Sequence, residues 1–311
     1  MNVASSPSER RAFVARLLQA LIDAANPTGG WGYYRGKVSR IEPTSWALLA
    51  LSEAESQDAD AWRRFAAPHV EWVTRHQHAD GLLLDYPTAP PSLTANGSAV
   101  CMIAHLAKSD SFAASDDVLH RLLGGIVRVK GVSVNTSEGG QDSRLQGWPW
   151  MPDTFSWVEP TAWCLLALKK TRLLGVAGSE PRIAEAEKLL LNRSCSVGGW
   201  NAGNATAMGQ DLRPYVPTTA IGLIGMQDRR ADPVVARSLA YLVGAQLSEP
   251  SALALALTAV CLRIYGLSPD DVEARLAADA PRAERLGNLH TLAMMLYALT
   301  MNDHNAAAFR I

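Results

Sequence analysis

Gly30-Trp31 is followed, eleven residues after the tryptophan, by Glu42-Pro43-Thr44-Ser45-Trp46-Ala47-Leu48-Leu49-Ala50-Leu51. Gly147-Trp148 is followed at the same spacing by Glu159-Pro160-Thr161-Ala162-Trp163-Cys164-Leu165-Leu166-Ala167-Leu168. A looser copy runs Gly198-Gly199-Trp200, then Val216-Pro217-Thr218-Thr219-Ala220 and an apolar stretch. Each part has a physical reason. Glycine after a helix suits the left-handed residue that caps it. Proline in a first helical turn has the required dihedral and lacks only a donor that would be orphaned there. The Ala/Leu run that follows packs a buried wall. The fragment Gln77-His78-Ala79-Asp80-Gly81 reads as a degenerate version of the same helix ending.

Outward from these repeats the periodicity is helical throughout, as in Phe13, Val14, Leu17, Leu18, Leu21 and Ile22. Two kinds of helix alternate. Residues 8–24, 58–78, 116–128, 180–194, 231–246 and 268–284 are charged on one side. Residues 43–55, 93–108, 160–173, 217–228, 250–265 and 287–302 are apolar almost all round. A half-polar helix keeps one face in water, and one that is apolar all round is buried. Six of each predict an all-α protein, an α/α toroid in which an outer ring wraps an inner ring. No domain boundary is visible, so 1–311 reads as one domain with repeats over about 8–302. The segment 131–158, rich in Gly, Ser, Asp and Trp, reads as a long rim loop or lid.

Composition narrows the function classes. Of 311 residues, 48% are hydrophobic and 19% charged, which excludes intrinsic disorder. The net charge of −1 gives no basic footprint for nucleic acid. The four cysteines have no C-x-x-C spacing, and Cys101, Cys164 and Cys261 sit in apolar runs as small core residues. The first residues carry no apolar core of a secretion signal, and the longest apolar run, 251–262, is too short for a transmembrane segment. The expectation is a cytoplasmic chain, with a peripheral membrane contact left open. Nine Trp against five Phe is the anomaly.

The G-G-W ending of an outer helix, followed by P-T-[S/T/A]-x-x-x-x-L-x-A-L opening an inner one, resembles the prenyltransferase and squalene-cyclase repeat family over about residues 8 to 302. That resemblance implies the toroid and an apolar or isoprenoid small molecule in a central aromatic-lined cavity. The family's reactions are not implied with it. The D-x-D-D acid motif of the cyclases is absent, Asp58-Ala59-Asp60 being too short a match on an outer helix. The D-x-C zinc ligands of protein prenyltransferases are also absent, leaving only Leu289-His290-Thr291 similar to the last ligand segment. No metal and no cofactor are therefore expected. A protein partner on one toroid rim is compatible with the resemblance.

Glu42 and Glu159 each precede the proline of an inner helix, which puts both at one end of the ring. Two carboxylates near tryptophans can have their pKa values pushed apart and serve as acid and base. They can equally cap their helices, and the two roles are compatible. Asp153 and Asp211 are further acid candidates. Trp31, Trp148 and Trp200 recur with the glycines and read as wedges between helices. Tyr34, Trp46, Trp150, Trp157, Trp163 and Tyr215 are the candidates to line a ligand site. Arg35, Lys37, Arg40, Asp85, Arg144 and Arg213 belong to the same loops, where helix N-termini favour an anion. Arg35 and Arg213 are the candidate ligand contacts among them, the alternative being a solvated rim of ion pairs. His290 heads an apolar helix, as a helix-end residue or a ligand contact.

Three functions follow as alternatives. One is a toroid that binds an isoprenoid or similar apolar ligand, with or without acid–base chemistry on it. The second is a non-catalytic binding or scaffold protein, and the third is a carbohydrate-active hydrolase or lyase, since α/α toroids also host those. A lumen filled by bulky side chains would count against the enzyme readings.

Overall fold

The computed structural model describes residues 7–54, 59–108, 115–135, 141–302 and 305–311. Asp58 and part of the rim loop, 136–140, lie outside them. Helices α1 (Pro7–Ala24), α3 (Ala59–Arg75), α5 (Ser115–Arg128), α7 (Ser179–Asn192) and α9 (Pro233–Ala245) alternate with α2 (Ile41–Ala54), α4 (Leu93–Leu106), α6 (Val158–Lys170), α8 (Val216–Gly225) and α10 (Ala252–Ile264). The sixth outer element, expected as one helix over 268–284, is two: α11 (Asp270–Ala278) and α12 (Ala280–Leu286). Pro281 falls in the first turn of α12, where it starts a helix but cannot continue one. Helix α13 (Leu289–Thr300) completes the inner set. A two-stranded hairpin, β1 (Thr206–Ala207) with β2 (Gln210–Asp211), adds a piece of sheet that the helical periodicity did not signal.

Each inner helix packs against the next, α2 on α4, α4 on α6, α6 on α8, α8 on α10 and α10 on α13, and α13 packs back on α2. The ring is closed, and the outer helices lie against it. The fold is an α/α toroid. The four cysteines are buried and free. Among the described residues no helix is long and apolar enough to cross a membrane.

The repeat motif explains itself in hydrogen bonds. The Trp31, Trp148 and Trp200 backbone N–H groups donate to Thr44, Thr161 and Thr219 Oγ1 at 2.9, 2.9 and 3.0 Å. Their indole N–H groups donate to Leu21, Ile126 and Leu190 carbonyls of the preceding outer helices at 2.8, 2.7 and 2.7 Å. All three rings are fully buried, so these tryptophans are wedges that tie an outer helix to the next inner one. The degenerate copy keeps the geometry with other residues: Asn96 takes threonine's place and bonds both Leu83 N–H and carbonyl. Gly29, Gly30, Gly81, Gly198 and Gly199 have the positive φ expected of a cap. Gly147 does not. It is glycine because a Cβ would stand 2.3 Å from Thr161 Oγ1.

The ring is filled at its centre by bulky side chains, the outcome that counts against an enzyme with its chemistry inside the lumen. Trp46 of α2 and Trp163 of α6 are not on neighbouring helices, yet their rings meet at 6.0 Å, so both project to the axis. Phe309 enters among them, with ring centroids 5.2 Å from Trp46, 5.7 Å from Trp163 and 5.3 Å from Tyr297. None of the four rings is more than 4% exposed. Lys170 Nζ holds the segment by donating to the Ala307 and Arg310 carbonyls. Gln227 grips it from α8's end, donating to the Phe309 carbonyl at 2.7 Å and accepting from Ile311 N–H at 3.2 Å.

Candidate functional site

All six inner helices begin at the same end of the ring, and the starts of α2, α4, α6 and α13 are each registered against the next loop. Leu93, Val158 and Leu289 N–H groups donate to the carbonyls of Trp150, Ala202 and Tyr33, at 3.1, 2.9 and 2.8 Å. Ile41 N–H donates to Asp85 Oδ1 at 2.7 Å. The second residues of the inner helices therefore share one level: Glu42, Thr94, Glu159, Pro217, Leu253 and His290. Glu42 and Glu159 stand one turn nearer the mouth than the axis-facing Trp46 and Trp163, on the same helix faces. Four consecutive positions around the ring, from α13 through α2 and α4 to α6, are thus polar (His290, Glu42, Thr94, Glu159). The other two, Pro217 and Leu253, are apolar.

The polar arc is held by aromatic residues. Tyr33 Oη donates to Glu42 Oε2 at 2.6 Å, and His290 Nε2 lies 4.0 Å from Glu42 Oε1. The Trp150 side chain, near the Glu159 carboxylate, favours its charged form. Trp150 stacks on Trp157 at 4.7 Å and 22°, and Trp157 itself precedes the first residue of α6. Burial, with the charge of Glu42 adding to it, pushes the Glu159 carboxyl up to about 7, against the smaller opposing effect of the Trp150 N–H. Burial raises the Tyr33 hydroxyl and lowers His290, keeping the phenol protonated and the imidazole uncharged near neutrality. Burial likewise raises Asp85 against the bond from Ile41 N–H and the Arg40 guanidinium, 3.5 Å away. His290 Nε2 and Thr94 Oγ1 are buried with no hydrogen-bond partner. Orphaned polar atoms cost about 1–3 kcal/mol each, and both lie on this one arc. Neutral imidazole can donate or accept, and a threonine hydroxyl can do both.

Of the candidates read from sequence, Glu42, Glu159, His290, Trp150 and Trp157 come together here. Neither glutamate caps its helix by the recorded bonds; Asp85 satisfies the first N–H of α2 instead. Trp46 and Trp163 form the packed floor beneath the arc rather than the wall of an open cavity. Tyr34, Arg35, Arg213 and Tyr215 are exposed on the loops. Asp153 is exposed in the left-handed region at φ 62, and Asp211, on the hairpin, accepts from Ser196 at 2.8 Å. Arg144 is engaged by Asp142 at 2.8 Å, the solvated ion-pair alternative. The sequence reading missed Thr94 as a site residue. Thr94 sits in the degenerate repeat, where Thr94-Ala95-Asn96 replaces the Glu-Pro-Thr signature. Tyr33 follows Trp31 by two, the spacing at which Trp150 follows Trp148.

No family model matches this chain, and no curated relative was found. Solved structures do resemble it. A family 76 glycoside hydrolase from a bovine Bacteroides thetaiotaomicron strain aligns with TM-score 0.65 at 13% identity, over 97% of this chain and 77% of that one. A β-1,3-1,4-glucanase from Paenibacillus sp. X4 aligns with TM-score 0.61 at 11% identity, over 98% and 94%. A type II terpene cyclase from Scytonema, in complex with merosterolic acid A, aligns with TM-score 0.57 at 13% identity, over 97% and 98%. At these identities the likeness establishes the toroid and nothing finer.

Proposed function

We propose that this chain is an acid–base enzyme acting on a polyhydroxylated small molecule, a saccharide, bound across the mouth of the inner ring. One observation carries the reading: Glu159, a carboxyl that titrates near 7, lies within the field of a second carboxylate, Glu42. An acid that keeps its proton close to neutral pH is matched to proton donation. The surroundings suit a sugar. The polar arc offers the partly exposed Glu42 and Glu159 carboxylates as partners to hydroxyl groups. Pro217, Leu253 and the Trp150–Trp157 pair offer apolar surface to the C–H face of a pyranose.

For hydrolysis, Glu159 gives its proton to the leaving glycosidic oxygen as the bond from the anomeric carbon breaks. Water adds to that carbon and yields a proton to Glu42. Tyr33 fixes the Glu42 carboxylate through its 2.6 Å bond. His290 and Thr94 orient hydroxyl groups. Some of the similar folds are glycoside hydrolases, which supports the class without supplying the substrate.

The test is turnover and thermal shift of the purified chain against a panel of aryl glycosides and oligosaccharides. Glu159→Gln is expected to cut kcat by 10²–10⁴ while leaving binding in place. A panel with no binder, or a Glu159→Gln enzyme of unchanged kcat, would overturn the reading. The aromatic cluster of Trp46, Trp163, Tyr297 and Phe309 favours a second reading, an isoprenoid ligand in the lumen. That reading requires residues 305–311 to leave, because Phe309 fills the space an isoprenoid needs. Polyprenyl diphosphates that raise the melting temperature of the full chain would support it.

A further inference from the structure

We infer that Asp85 is a positioning residue of the mouth site, fixing the start of α2 and with it the place of Glu42. The inference deepens the acid–base reading above, on which the role of Glu42 rests. It comes from the register of the repeats. Leu83 stands where Trp31, Trp148 and Trp200 stand in the other three, since its backbone N–H donates to Asn96 Oδ1 at 2.7 Å as theirs donate to threonine. Two residues further on, the four repeats carry Tyr33, Asp85, Trp150 and Ala202. Each of these receives the first N–H of the inner helix before it around the ring, from Leu289, Ile41, Leu93 and Val158 in turn. Tyr33, Trp150 and Ala202 accept with a backbone carbonyl, which any residue supplies. Of the four, only Asp85 accepts with its side chain, Oδ1 lying 2.7 Å from Ile41 N. Here the identity of the residue decides whether the helix start is held.

The same register already serves the site. Tyr33 bonds Glu42 at 2.6 Å, and the Trp150 side chain lies near Glu159. Asp85 also holds more than one residue. Its Oδ2 lies 3.5 Å from Arg40 Nη1, and the Arg40 guanidinium sits 5.0 Å from the centre of the Tyr86 ring. Arg40 N–H donates to the Trp31 carbonyl at 2.8 Å. Arg40, Ile41 and Glu42 are consecutive, so one carboxyl group ties down the two residues that lead into Glu42. The charge of Glu42 reaches Asp85 as it reaches Glu159, adding in both cases to the rise that burial causes. Proton transfer depends on such placement, since an error of about 1 Å can cost about 10²-fold.

The experiment follows the Glu159 carboxyl by carbon-13 NMR in the full chain, its signal assigned by its loss in Glu159→Gln. Wild type, Asp85→Ala and Asp85→Asn are compared. Asn keeps an acceptor for Ile41 N–H without the charge, and Ala removes both. Asp85 is half-buried, so its truncation opens to water and not to a sealed void, and circular dichroism verifies the fold. Wild type is expected to titrate near 7. Asp85→Ala frees Glu42 to move off and should lower that midpoint by about half a pH unit or more, whereas Asp85→Asn should keep it. A midpoint unmoved in Asp85→Ala, or lowered equally in both variants, overturns the positioning role. Neither result needs a substrate. On a glycoside that the enzyme turns over, Asp85→Ala should lower kcat about tenfold or more with KM within about twofold, and Asp85→Asn should recover most of the loss. A kcat equal to wild type in Asp85→Ala also overturns the role. If no saccharide binds, the saccharide reading fails, and the titration still decides whether Asp85 places Glu42.

Discussion

Glu159→Gln should make the protein more stable at pH 8 and leave it unchanged at pH 4. The folded-state carboxyl titrates near 7 instead of the ordinary 4.5. Between those values the native state holds a proton that the unfolded chain has lost. Stability from this group is therefore full below about 4.5, falls as pH rises toward 7, and is flat above. The difference between the two pKa values corresponds to about 3 kcal/mol, at roughly 1.4 kcal/mol per pH unit. An unfolding entropy of about 2.1 cal/mol/K per residue turns this into a melting-temperature difference of roughly 5 °C. Gln is isosteric with Glu, so packing is preserved. The assay is thermal unfolding of both proteins from pH 4 to 8.5, read as the difference between them. Every other titrating group cancels in that difference, except through its coupling to Glu159. A difference that is constant with pH, or a wild type more stable than the variant at pH 8, would refute the assignment of Glu159 as a buried acid.

Other perturbations probe the frame. Phe309→Ala should cost about 3–5 kcal/mol and lower the melting temperature by roughly 5–8 °C, with loss of near-ultraviolet dichroism from the Trp46 and Trp163 pair. Thr161→Val removes the acceptor of the buried Trp148 N–H and should lower stability by about 1–3 kcal/mol, read from the denaturant midpoint. Lys169 is fully buried between Glu187 and Asp228, at 2.7 and 2.5 Å. Lys169→Met should cost about 3 kcal/mol, and a neutral result by chemical denaturation would show the triad to be dispensable.

The toroid was legible because its signals are local and repeated. A tryptophan wedge, a threonine acceptor and an apolar inner helix recur at fixed spacing, and each half of that signal has its own hydrogen bond. The level of Glu42 and Glu159 was legible for the same reason. Thr94 and His290 were harder, because their repeats have lost the Glu-Pro-Thr letters while keeping the register, and register is fixed by backbone bonds that any residue can make. The packed lumen was not legible at all. Trp46 and Trp163 read identically whether they line a cavity or meet a plug. Phe309, which decides between them, is brought in from far along the chain by Lys170 and Gln227, two polar residues with no pattern to announce them. The split of the sixth outer helix needed more weight on Pro281.

The closure of α13 onto α2 brings together residues from opposite ends of the sequence. Contacts so distant along the chain are slow to form, and until they form the inner helices present apolar faces to water. A nascent or half-unfolded chain is therefore a set of open helical hairpins, prone to association, with His290 still apart from Glu42. The polar arc is complete only once α13 has closed on α2. Binding at the mouth would thus report completed folding, and a ligand that bridges α13 and α2 would act as a clasp, slowing the reopening of the ring and lengthening the lifetime of the native protein.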